Sequence, residues 1–249
     1  MLIAAAVCPH PPLLIPAAIG AAASDPPPAL SAVGGACVAA VRALAAAEPD
    51  LIAVVGGGPA TREYDAGAAG SLAGYGIPVA VGEGGPVLPL SLTVGRWLLD
   101  HAGAGPGPGR RPRVLLQAVD QRAPAGDCVK LGIMIAEQAP RVALLAMGDA
   151  SARRARGAEG AADPQAQDYD DGVAGALAAA DAHRLARLDP ALDGELMVAG
   201  RAAWQVLAGA AAGARMCGRL LCTAHPYGVT YLVAAWERAG TGRGQCQNA

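Results

Sequence analysis

Three short segments of this 249-residue chain hold side chains able to do chemistry: Cys8-Pro9-His10-Pro11-Pro12, Gly56-Gly57-Gly58-Pro59 and Gly148-Asp149-Ala150-Ser151. Each follows a short apolar run that reads as a buried strand, and in open α/β sheets ligands sit outside the carboxyl ends of the strands. If the three strands are parallel, the three peptides converge on one edge. His10 stands at a strand end between prolines that stiffen the backbone. That orientation suits a metal ligand or an acid/base group, and a hydrogen-bonded turn histidine would carry the same local sequence.

The rest of the reactive inventory is small. The other histidines are 101, 183 and 225. His101, beside a flexible loop, and His183, in a polar helical context, read as surface residues. His225, in Thr223-Ala224-His225-Pro226-Tyr227, falls in a turn between the last two strands and is the spare histidine that could reach a strand-edge site. The triple glycine fails as a dinucleotide loop because Thr61 stands where the third glycine belongs, and no Walker lysine follows, the only lysine being Lys130. No nucleotide cofactor is expected, and the glycines read as a tight turn passing close to a neighbour. GxSxG and HExxH are both missing, which leaves no serine-hydrolase elbow and no zincin helix. Ser151 reads as a cap or turn residue.

Short β-branched runs alternate with alanine-rich helical stretches, the pattern of an α/β protein with a mostly parallel or mixed central sheet flanked by helices. Strands are expected at 2–7, 51–55, 77–81, 113–119 and 142–147, with a terminal hairpin at 219–223 and 229–236. Helices are expected at 28–47, 90–101, 127–138, 164–180 and 193–212, the fourth opened by Asp163 as N-cap and Pro164 at the first helical position. The Gly/Pro-rich stretch 103–112 and the segment 152–162 read as mobile rims of the cleft. One domain over 1–249 is the expectation, with a frayed tail after about residue 238.

Composition removes whole classes of function. With 19 basic and 21 acidic residues and a net charge of −2, the chain has no electrostatic footprint for nucleic acid. Arg153, Arg154 and Arg156 precede Glu159, Asp163 and Asp168 and read as a solvated loop. No uncharged apolar stretch is long enough to span a bilayer, the longest candidate at 196–215 being interrupted by Arg201 and Arg215, and no basic segment precedes the first strand. The expectation is a cytoplasmic protein with no membrane partner. Six cysteines, at 8, 37, 128, 217, 222 and 246, form no CxxC pair and read as reduced thiols, several of them in the core.

Taken in order, CPHPPLLIP, PDLIAVVGGGP, LLAMGDAS, DPQAQDYDDGV, GELMVAGRAAWQVLAGA and YGVTYLVAAWE resemble the class III extradiol dioxygenases, in the branch of the protocatechuate 4,5-dioxygenase catalytic subunit. Memo-type proteins share that fold. The resemblance spans nearly the whole chain. It implies Fe(II) held by two histidines and a glutamate, a facial triad with open positions for a catechol-type aromatic and dioxygen. His10 matches the first histidine, and Glu195, followed by Trp204, matches the glutamate.

Two family positions depart from the pattern. Gly57, Gly58 and Pro59 occupy the place of the second metal histidine, and Ala152 stands where the acid/base histidine belongs. His225, Asp149 or Cys8 would have to substitute as ligands, with Gly57, Gly58, Pro59, Asp149 and Ser151 lining the cleft. The expected function is that of an extradiol dioxygenase-like protein whose iron-dependent catalysis is lost or altered, a pseudoenzyme binding a ligand or partner. The alternative is an active Fe(II)-dependent ring-cleaving dioxygenase with a recruited ligand. Members of the family often pair, so a homodimer is a further expectation.

Overall fold

The computed structural model describes residues 1–18, 27–105, 112–154 and 163–240. In chain order the strands are β1 (Leu2–Cys8), β2 (Leu51–Gly58), β3 (Arg62–Tyr64), β4 (Ala68–Ser71), β5 (Ala80–Val81), β6 (Glu83–Pro86), β7 (Arg113–Asp120), β8 (Val142–Met147), β9 (Met216–Ala224) and β10 (Tyr231–Arg238). The helices are α1 (Pro28–Ala46), α2 (Leu90–His101), α3 (Ala125–Ala136), α4 (Pro164–Ala178), α5 (Ala182–Ala186), α6 (Leu192–Leu196) and α7 (Arg201–Ala210).

Seven strands form one mixed sheet in the order β3-β7-β2-β8-β1-β10-β9. The four in the middle, β7, β2, β8 and β1, run parallel, while β3 and the β10/β9 hairpin are antiparallel to their neighbours. Both faces are covered, which is why the central strands read as unbroken apolar runs. Successive residues of β2 go to opposite sides: Leu51, Ala53 and Val55 join the core under α3, α4 and α7, and Ile52 and Val54 join the core under α1 and α2. A small sheet, β5-β4-β6, lies beside α2. Gly132 and Gly209 let α3 and α7 pack backbone to backbone, since a Cβ on Gly132 would stand 1.9 Å from the Val206 carbonyl oxygen.

Several expectations change. The strand expected at 77–81 survives only at Ala80–Val81, and the helix expected at 193–212 is broken into α6 and α7. At that break Met197 takes a left-handed φ of 54° and the Ala199 N–H donates to the Asp149 carbonyl at 3.1 Å. The chain gives up helical bonds there to dock against the end of β8. Among the described residues the helix long and apolar enough to cross a membrane is α1 rather than 196–215, with a mean hydropathy of 1.7 over its apolar window. In this fold α1 lies against the sheet, burying Leu30, Val33, Cys37, Ala40, Val41 and Leu44. Cys217 is disulfide-bonded, contrary to the expectation of reduced thiols throughout, while Cys8, Cys37, Cys128 and Cys222 are free.

Candidate functional site

The three strands that precede the reactive peptides are parallel and in register, with Cys8 opposite Met147 and Gly56 opposite Met147 on β8's other side. The peptides therefore leave the sheet at one edge, and the Gly148 N–H donates to the Cys8 carbonyl at 2.9 Å. Having no Cβ, Gly148 also lets the residue before α7 close on this edge: a Cβ there would stand 2.3 Å from Gly200 Cα.

Of the predicted site residues, the fold brings His10 and Asp149 together. The backbone N–H of His10 donates to Asp149 Oδ1 at 2.8 Å, and His10 Nδ1 lies 3.5 Å from the same oxygen. That ring nitrogen is enclosed, makes no hydrogen bond and stands at contact range of the carboxylate. The His10 side chain is 8% exposed. A carboxylate behind one nitrogen orients the ring and leaves Nε2 as the nitrogen for a ligand. Tyr231 belongs to the same corner: burial, with help from the Asp149 charge, pushes its phenol up to about 12 and keeps it a proton donor at neutral pH.

The buried thiols of Cys8 and Cys37 are neighbours in the core. That contact first, and burial second, push the Cys37 thiol well above its ordinary range. Metal ligation needs a thiolate, and the enclosed Cys37 thiol is held against forming one.

A second set of polar groups surrounds Asp170, which sequence reasoning missed. This carboxylate, 1% exposed on α4, accepts the Ser151 N–H at 2.9 Å, the Ser151 hydroxyl at 2.7 Å and the Thr230 hydroxyl at 2.5 Å. Arg154 Nη1 lies 3.7 Å from the same carboxylate and 3.3 Å from Asp171. Ser151 is thus neither a cap nor an exposed nucleophile, and Arg154 is tied down rather than solvated. The signal for Asp170 was present in the apolar spacing of α4. The buried positions Ala166, Tyr169, Asp170 and Val173 follow the i, i+3, i+4, i+7 stripe, which places an acid on the inner face.

His225 attaches to this network from outside, its Nδ1 2.9 Å from Thr230 Oγ1. Because Thr230 gives its only hydroxyl proton to Asp170, Nδ1 must be the donor, and the neutral ring presents the Nε2 lone pair to solvent. Burial first and the Arg154 charge second depress the His225 pKa, which favours that neutral form.

The remaining predicted residues are dispersed. Glu195 is exposed on α6, and the inward carboxylate of that segment is Asp193, paired with the buried guanidinium of Arg201 at 2.6 Å. Arg201 also donates to the Ala123 carbonyl and to Gln205, so the GELMVAGR stretch fastens α6 and α7 to the loop after β7. Gly57 and Gly58 are buried within β2, and Pro59 is exposed. The glycines serve close packing in a strand rather than a turn. A Cβ on Gly56 would stand 2.5 Å from Ser91 Oγ, whose hydroxyl donates to the Gly57 carbonyl at 2.7 Å. Ala152 sits beside Ser151 with its N–H donated to the Leu196 carbonyl at 3.0 Å.

These residues do not fit a three-ligand iron centre. Among the described residues no group of three or more histidine, cysteine, aspartate or glutamate side chains could hold a metal ion. What the edge offers is two imidazoles, each oriented from behind by a carboxylate, His10 by Asp149 directly and His225 by Asp170 through Thr230. Such groups can hydrogen-bond a small polar or phenolic ligand and exchange protons with it.

No protein-family model matches the chain, and no curated protein matches it. Among solved structures, the uncharacterized protein JW3007 from Escherichia coli K12 is similar over 94% of this chain and 99% of that one, with 15% identity and a TM-score of 0.56, a likeness of fold.

Proposed function

We propose that the chain is a class III extradiol dioxygenase-like protein whose strand-edge site binds a small aromatic ligand and no longer performs iron-dependent ring cleavage. The observation that carries this reading is the donor set: among the described residues no group of three or more histidine, cysteine, aspartate or glutamate side chains could hold a metal ion, and His10 has only the Asp149 carboxylate beside it. The matched glutamate, Glu195, is meanwhile exposed on α6. A donor set of one histidine and one carboxylate gives weak metal affinity, because affinity rests on ligand number and a preorganised shell. The missing acid/base histidine at Ala152 would alone cost on the order of a hundred- to ten-thousand-fold in rate.

The proximity of Asp149 to His10 favours a second reading, an active dioxygenase with Asp149 as recruited ligand. Against it, no third histidine, cysteine, aspartate or glutamate side chain joins the two in a group that could hold a metal ion among the described residues.

Anaerobic reconstitution with Fe(II), followed by metal analysis and oxygen-uptake assays on catechols, separates the two. The pseudoenzyme reading expects substoichiometric iron, equal in wild type and His10→Ala, and no catechol-dependent uptake. Stoichiometric iron that disappears in His10→Ala, together with oxygen uptake, would establish the dioxygenase.

A further inference from the structure

A cavity of about 450 Å3 lies between α1, α2 and the single 3-10 turn Pro12–Leu14, on the face of the sheet covered by α1 and α2. That volume falls within the range of small-molecule sites. Its floor is the pair Gly34-Gly35 in the middle of α1, where a Cβ on either residue would meet nothing within 4 Å. Glycine disfavours a helix interior, so two adjacent glycines with open space above them keep a channel clear that any larger residue would narrow. Leu13, Leu14, Leu30 and Leu98 supply apolar walls, and Trp97, stacked on His101 with ring centroids 4.6 Å apart, supplies a flat one.

The lining runs along α1 from Leu30 to Arg42, about 18 Å at the helical rise. The cavity therefore extends along the helix, and its polarity is lopsided. Arg42 is the only charged residue among the 19 of α1, it lines the cavity, it is exposed, and among the described residues it makes no hydrogen bond or ion pair. An apolar channel with a single unpaired cation toward one end is complementary to a single-chain amphiphile with an anionic head.

We propose that this cavity binds a free single-chain carboxylate of the fatty-acid class, its hydrocarbon over Gly34-Gly35 and beside Trp97, its carboxylate on Arg42. The site is separate from the strand-edge residues and stands independently of the function proposed for them.

The probes are decanoate, below its micelle concentration, and 1-decanol, titrated calorimetrically and by the fluorescence of Trp97, the half-buried tryptophan; Trp204 and Trp236 lie in the core. Wild type should bind decanoate saturably, one per chain, and quench. Gly35→Leu and Gly34→Leu should lose at least tenfold in affinity while unfolding cooperatively at the wild-type midpoint or above. Arg42→Ala should weaken decanoate about tenfold, the loss of one charge-assisted contact, and leave decanol unchanged. Absence of saturable decanoate binding, unchanged affinity in both glycine variants, or binding confined to phosphatidylcholine vesicles would overturn the proposal. So would a decanoate-free dimer that Gly35→Leu dissociates, since the groove would then be covered by a second copy.

Discussion

The buried carboxylate of Asp170 holds Ser151 by two bonds at once, accepting its backbone N–H at 2.9 Å and its hydroxyl at 2.7 Å, and so ties α4 to the end of β8. With Thr230 bonded to the same carboxylate, removal of the acid leaves three enclosed donors unpaired. Asp170→Ala should cost roughly 3 kcal/mol or more, and Asp170→Asn less, because the amide oxygen can still accept. Urea unfolding measures both. A loss below about 1 kcal/mol in the alanine variant would mean that water replaces the carboxylate at little cost.

His225 reports on the same network. Its depressed pKa predicts an NMR titration midpoint below the ordinary value of about 6.5. Arg154→Ala should move that midpoint upward, since Arg154 is the second cause of the depression after burial. The sign for stability follows from linkage. The unfolded chain takes up this proton first, so the contribution of His225 is present above its unfolded pKa and is lost as pH falls below it. A midpoint at or above 6.5, unmoved by Arg154→Ala, would contradict the arrangement.

The two glycine clusters predict opposite outcomes. A Cβ on Gly56 would lie 2.5 Å from the Oγ of buried Ser91, so Gly56→Ala should destabilise by about 2 kcal/mol through overpacking. Gly34 is helical with open space around it, so Gly34→Ala should be stabilising by about 0.5–1 kcal/mol. Denaturant midpoints for the two variants test the contrast, and equal effects would mean that close packing does not explain the glycines of β2.

Much of the scaffold is legible in the sequence because its signals are local. The apolar run Val142–Met147 is a buried central strand, Leu90–His101 a helix, and Asp163 caps α4 by accepting the Gln165 N–H at 3.0 Å. Residues 62–64, 68–71 and 83–86 carry no strand signal, since they are short and owe their extended form to neighbouring strands. The site was legible in part. The convergence of His10 and Asp149 followed from parallel strands, whereas Asp170 acquires its role from Ser151 and Thr230, 19 and 60 residues away. Glu195 and Asp193 look equally placed in the sequence, and only the packing of Arg201 decides which carboxylate turns inward.

His10, with Asp149 behind its Nδ1, has too few companion ligands among the described residues to join a metal centre. NMR of histidine-labelled protein titrated anaerobically with Fe(II) tests this. The His10 ring signals should persist at their original shifts with one equivalent of iron added and should move in Asp149→Ala. Selective broadening and loss of the His10 signals at one equivalent, with Asp149→Ala leaving them unmoved in the absence of iron, would contradict it.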